Sequence, residues 1–122
     1  MTIVCVDNTP IMLQSLKENA DKVYPYADVQ TFLSAELALE HVEKFGCDVL
    51  ICEINPPRLE GLFLAEKVKM INPKVNIIFF TVCSESEHAK AVMKLKPSGY
   101  LTKEASGAQI LEELQNLRYP VA

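Results

Sequence analysis

The chain is expected to fold as one doubly wound α/β domain around a five-stranded parallel sheet, and three observations carry that expectation. Apolar, β-branched runs stand at Thr2-Ile3-Val4-Cys5-Val6, Val49-Leu50-Ile51-Cys52 and Val75-Asn76-Ile77-Ile78-Phe79-Phe80, the pattern of strands buried on both faces. Stretches with apolar residues at helical spacing alternate with them. Proline, glycine, asparagine and serine punctuate the changes from one period to the other. Five such strand–helix units in 122 residues are enough for a single core and too few for two.

Each element has a local reason. After the first strand, Asp7-Asn8-Thr9-Pro10 breaks the run, and Asn8 or Thr9 can cap a helix with Pro10 at its first position. That helix carries Met12, Leu13, Leu16, Ala20 and Val23 inward and ends at Tyr24-Pro25-Tyr26. Asp28 to Phe32 alternates polar and apolar residues, as a half-buried edge strand does. Ser34 caps a second helix with Leu37, Ala38, Val42 and Phe45 as its stripe and Gly46 as its stop. His41, without an acidic or metal-ligating neighbour one turn away, reads as a solvated surface residue.

The third strand stops at Glu53, and Asn55-Pro56-Pro57 with Gly61 forces a loop. A third helix with Leu64, Val68 and Ile71 runs to Asn72-Pro73, and the fourth strand ends at Thr81. Ser84 and Glu87 have capping-box spacing for a helix with Ala89, Val92, Met93 and Leu95 inward, and His88 falls in its first, exposed turn. Tyr100-Leu101-Thr102 is a short last strand with Lys103 at its end. Ser106 and Gln109 open a fifth helix bearing Ile110, Leu111, Leu114 and Leu117. Met12, Met70 and Met93 lie among helical apolar residues and read as core fillers.

Right-handed crossovers and helices on both faces make 2-1-3-4-5 the expected strand order, the flavodoxin-like arrangement. In that order the carboxyl ends of the strands form one rim, and Asp7, Asn8, Glu53, Thr81 and Lys103 all fall on it.

Composition excludes several functions. The net charge of −4 argues against direct nucleic-acid binding, which asks for a basic patch. No apolar run reaches the roughly 20 residues of a membrane span, and no signal-peptide pattern opens the chain, so a cytoplasmic location is expected. Cys5, Cys47, Cys52 and Cys83 form no C-x-x-C pair or zinc spacing. Cys5 and Cys52 read as buried strand residues, and Cys83 as a turn residue with nothing beside it to activate a thiol.

The rim residues closely resemble the receiver domain of two-component response regulators, along the whole chain. Asn55, Pro57 and Gly61 stand two, four and eight residues past Glu53, and Gly99-Tyr100-Leu101-Thr102-Lys103 matches the family's last strand. The resemblance implies that Asp7 and Asn8 occupy the acidic metal-binding pair, and Glu53 the phosphoacceptor aspartate's position. It further implies that Thr81 and Lys103 contact phosphoryl oxygens and that Tyr100 is a switch aromatic. Asp7, Asn8, Glu53 and Asn55 would then surround Mg²⁺.

Three departures fall within that site. Glu53 is a methylene longer than aspartate, and a misplacement of roughly 1 Å can cost about 10²-fold in rate. Asn8 replaces a carboxylate with a neutral amide, which Mg²⁺ binds less well. Glu104 stands where the family usually has a proline, commonly cis, and a cis bond without proline costs about 2.5–4 kcal/mol. The site is therefore expected to hold Mg²⁺ weakly or not at all, with Lys103 pairing directly with Glu53.

The expectation is an atypical receiver, a pseudo-receiver spanning residues 1–118, with 119–122 as a tail or the start of a linker. It would regulate transcription through a separate effector domain and would not itself be an enzyme. Protein partners would be a histidine kinase, an effector domain, or a second copy through the face of helix four, strand five and helix five. One alternative is a Mg²⁺-dependent receiver that takes a phosphoryl group on the strand-three carboxylate. The other, a flavodoxin-like cofactor binder, lacks its hydroxyl- and glycine-rich phosphate loop after strand one.

Overall fold

The computed structural model describes residues 1–54, 59–81, 89–102 and 107–121. Asn55, Pro57, Cys83, His88, Lys103, Glu104 and the proposed capping serines Ser84 and Ser106 lie outside the described residues. Five βα units run in order: β1 (Thr2–Val6), α1 (Pro10–Val23), β2 (Asp28–Phe32), α2 (Ala35–Phe45), β3 (Val49–Ile54), α3 (Glu60–Ile71), β4 (Asn76–Thr81), α4 (Ala89–Lys94), β5 (Gly99–Thr102) and α5 (Gly107–Gln115). The sheet is parallel in the order β2-β1-β3-β4-β5, the expected topology.

The two-residue period of the central strands builds two core layers. Val4, Val6, Leu50, Cys52, Ile54, Ile77 and Phe79 face α2 and α3, meeting Ala38, Val42, Leu62, Leu64, Ala65 and Val68. Ile3, Cys5, Val49, Ile51, Ile78 and Phe80 face α1 and α5, meeting Leu13, Leu16, Ala20, Ile110 and Leu114. Phe79 and Phe80 are the largest fully buried side chains, one on each face, and burial of each contributes about 1.5–3 kcal/mol. Edge strand β2 buries only Val29.

Local signals behave as their chemistry requires, with exceptions. Ser34 Oγ accepts from Leu37 N at 3.2 Å, the expected cap of α2. Thr9 is the N-cap of α1, with Pro10 first in the helix, but its hydroxyl makes no cap bond. It donates instead to Asp7 Oδ1 at 2.6 Å. β3 runs one residue past Glu53, and α3 begins before Gly61 rather than after it. Gly61 is a close-approach position: a Cβ there would collide with the backbone oxygen of Glu53.

The helix faces depart from the expected stripes. α2 turns Ala35, Ala38, Leu39 and Val42 inward and leaves Leu37 and Phe45 more than half exposed. Leu37 lies nearly opposite that face on a 3.6-residue wheel, so its apolar character does not bury it. Met70 is 82% and Met93 64% exposed, so neither is a core filler, and Ile71 is 46% exposed. Met12 does pack on the second layer.

His41 is corrected too. Its ring lies between Phe32 (centroids 5.3 Å apart) and Phe45 (4.8 Å), half-buried rather than solvated. Its Nε2 is buried with no hydrogen-bond partner. The i to i+4 step to Phe45 is local to α2, whereas the contact with Phe32 joins helix to sheet edge and no local pattern encodes it.

Candidate functional site at the carboxyl end of the sheet

The register fixes which residues meet at the rim. Val6 is level with Cys52, so Asp7 and Glu53 follow side by side on adjacent strands. Ile54 is level with Thr81, and Thr81 with Thr102. Asp7, Asn8 and Glu53 thus gather between β1 and β3, with Thr81 one step along β4 and Tyr100 farther back on β5.

Asp7 is 1% exposed. Its Oδ1 accepts from Thr9 N at 2.9 Å and Thr9 Oγ1 at 2.6 Å, an Asx turn that closes the loop onto its own carboxylate. Glu53 is half-buried, and its Oε1 accepts from the main-chain N–H of Asn8 at 2.8 Å. The β1–α1 loop therefore supplies donors to both carboxylates. Charge-assisted bonds of this kind are short and about twice as strong as neutral ones.

Thr81 is fully buried at the end of β4. Tyr100 is half-buried against the α2–α3 core layer, edge-on to Phe79 with centroids 6.5 Å apart and planes at 67°. Glu53 and Gly61 lie on a depression of about 250 Å³ that also takes in Asn8, Leu33, Glu36 and Glu60.

Glu36 and Glu60 are members of this rim that sequence reasoning passed over. Each sits in the first turn of its helix, where a carboxylate complements the positive end of the helix dipole. In a doubly wound sheet those first turns lie beside the strands' carboxyl ends. An acid in the first turn of α2 or α3 was the signal available. The described rim is accordingly rich in acceptors and carboxylates.

Mg²⁺ takes oxygen donors in octahedral geometry, usually one or two carboxylates plus waters. Asp7 and Glu53 are such donors, but each already receives bonds from the loop, and Asn8 adds no charge. Among the described residues no three His, Cys, Asp or Glu side chains gather as a metal centre.

The buried cysteines take no part in the rim chemistry. Burial pushes the thiols of Cys5 and Cys47 up to about 12 and that of Cys52 further still. All three are free thiols, held in the protonated, unreactive form. Among the described residues no helix is long and apolar enough to cross a membrane.

Comparisons with known proteins agree with this geometry. The family model for the response regulator receiver domain matches residues 3–115. The transcriptional regulatory protein DegU of Brevibacillus brevis is 25% identical over 113 residues, 93% of this chain and 48% of DegU. The nitrate/nitrite response regulator protein NarL of Escherichia coli is 23% identical over 113 residues, 93% of this chain and 52% of NarL. The chain thus spans about half the length of these curated relatives.

Among solved structures, a receiver domain protein from Methanospirillum hungatei superposes with a TM-score of 0.81 at 22% identity, covering 93% of this chain and 90% of the other. The BeF3-activated DrrB receiver domain gives 0.79 at 21% identity, covering 93% of each chain. RcsB from Salmonella enterica serovar Typhimurium, solved bound to promoter rprA, gives 0.77 at 21% identity over 97% of this chain and 68% of RcsB. With the parallel five-stranded sheet, the rim at its carboxyl end and the family match over nearly the whole chain, this protein belongs to the response regulator receiver domain family.

Proposed function

We propose that this chain is an atypical receiver of a two-component response regulator that signals by protein contact, with Glu53 in the phosphoacceptor position and not phosphorylated. The supporting observation is the 2.8 Å bond from the Asn8 main-chain N–H to Glu53 Oε1. A nucleophilic carboxylate must bring an oxygen lone pair in line with phosphorus while a cation neutralises the incoming charge. Here the longer glutamate reaches into the β1–α1 loop and spends an oxygen on it, and neutral Asn8 stands where the metal would find its second acid.

Mg²⁺ is then held weakly or not at all, and the rim works as a fixed or differently gated surface rather than a self-phosphorylating centre. Partner contact falls on the face of α4, β5 and α5, where Tyr100 is half-exposed and Met93 largely exposed. Similarity to DegU and NarL supports a role in cytoplasmic transcription regulation through a separate effector domain. The net charge of −4 leaves nucleic-acid contact to that effector.

The test is exposure of the protein to a small phosphodonor with Mg²⁺, read by intact mass, beside isothermal titration of Mg²⁺ alone. The expected outcome is no phosphoryl adduct and no submillimolar affinity. An adduct at Glu53 would make the chain a Mg²⁺-dependent phosphoacceptor receiver instead.

A further inference from the structure

A buried amide matched by several partners lies at the opposite end of the sheet. Asn76, the first residue of β4, is 1% exposed, yet it stands where the strand pattern calls for an apolar side chain. Its Nδ2 donates to the Tyr119 carbonyl at 2.9 Å, and its Oδ1 accepts from the Tyr119 N–H at 2.7 Å. One side chain thus reads both main-chain groups of one residue, 43 positions away, as a neighbouring β-strand would. The amide orientation follows from the chemistry, since an N–H can face only the oxygen.

Ser98, just before β5, completes the slot. Its Oγ donates to Asn76 Oδ1 at 3.0 Å and accepts from Arg118 N at 3.0 Å. Lys69, near the end of α3, closes the outer side. Its ammonium lies 4.8 Å above the Tyr119 ring and 3.4 Å from the hydroxyl. That contact, with Arg118 beside it, lowers the Tyr119 phenol from its ordinary value. Val121 packs on the α1–α5 core layer.

We propose that residues 118–121 form a strap, seated in a backbone-reading slot built by Asn76 and Ser98. The slot fixes the path of the polypeptide after α5 to the amino ends of β4 and β5. Four elements hold it: α3 through Lys69, β4 through Asn76, the lead-in to β5 through Ser98, and the inner core layer through Val121. β4 carries Thr81 at its other end, and β5 carries Tyr100. A shift of β5 along β4 would alter the Asn76–Ser98 bond and loosen the strap, so strap seating reports the register of these two strands.

Asn76 and Ser98 are neutral and hold only main-chain groups of the strap, so loss of either should free the strap more than it unfolds the domain. Trypsin can cleave at Arg118–Tyr119 only when that segment leaves the slot. The experiment compares cleavage there, in the intact chain, for wild type, Asn76→Ala and Ser98→Ala. Cleavage at Lys67 and Lys74 serves as the gauge of global opening. The expected result is a rise at Arg118 of about tenfold for Asn76→Ala and about threefold for Ser98→Ala over and above any rise at the lysine cuts. Equal rates at Arg118 in all three proteins, or a rise at Arg118 no greater than that at the lysines, would overturn the strap. Should Asn76→Ala fail to fold, hydrogen exchange of the Tyr119 amide in Ser98→Ala decides: faster exchange there than in β4 supports the strap, and unchanged exchange overturns it.

Discussion

The two ends of the sheet solve opposite problems with polar residues. At the carboxyl end, Asp7 and Glu53 present carboxylates that take donors from the β1–α1 loop, with Glu36 and Glu60 nearby. At the amino end, the neutral Asn76 makes three hydrogen bonds, two to the Tyr119 main chain after α5 and one from Ser98. A buried neutral amide is tolerable only when its partners are all supplied by the fold. The comparison separates carboxylates gathered by a loop at one end from a neutral amide matched by the fold at the other.

Alkaline titration should strain both ends at once and give the largest effect. Cys47 lies toward the amino end, where its thiol donates to the Val49 carbonyl at 3.2 Å, and Cys52 lies toward the rim, 3.7 Å from the Gly61 carbonyl. The folded thiols, Cys5 included, keep their protons above the ordinary value of 9.0, whereas the unfolded ones lose theirs. Stability is therefore full below pH 9 and falls as the pH rises toward about 12. The loss should be about 1.4 kcal/mol per thiol by pH 10. Denaturant melts at pH 7, 9 and 10 measure it, and a flat profile would mean that the thiols are not closed off.

Asn76→Ala should come next, at about 2–4 kcal/mol, because it strands the Tyr119 main chain and Ser98 together. Gly61→Ala tests the other end. The new methyl would collide with the Glu53 backbone, and pushing α3 off β3 should cost about 1–3 kcal/mol. Thermal melts of the two variants rank the ends, and a larger loss from Gly61→Ala would reverse the contrast drawn here.

A gain is expected at His41. Replacing it with Leu removes a buried Nε2 that has no partner and keeps the contacts with Phe32 and Phe45, which should stabilise by about 1 kcal/mol. The smallest change belongs to Glu53→Gln. Its side-chain oxygen still accepts from Asn8 but without charge assistance, so stability should change by about 0.5–1 kcal/mol. A loss above about 2 kcal/mol would show that the charge itself, rather than the acceptor, holds the loop.

Much of this was legible beforehand because the rules involved are local or topological. Val49 to Cys52 and Ile77 to Phe80 are apolar without alternation, and parallel strands covered on both faces require that. Ser34 capped its helix because the preference is a matter of three residues. Other features escaped because two local rules competed or because the fold left a face uncovered. Thr9 looked like a helix cap, but the Asp7 carboxylate claimed its hydroxyl. Met70 and Met93 fitted a helical stripe, yet no described element covers them.

The sequence by itself determined five βα units, their order in the sheet, and the gathering of Asp7, Asn8, Glu53 and Thr81 at one rim. Right-handed crossovers and buried parallel strands leave few other arrangements. Only the tertiary structure decided that the Asn8 backbone closes on Glu53, that His41 lies between two phenylalanines, and that Asn76 straps down Tyr119. Each of those depends on distances between residues from different elements, and periodicity carries no information about which side chain will be met there.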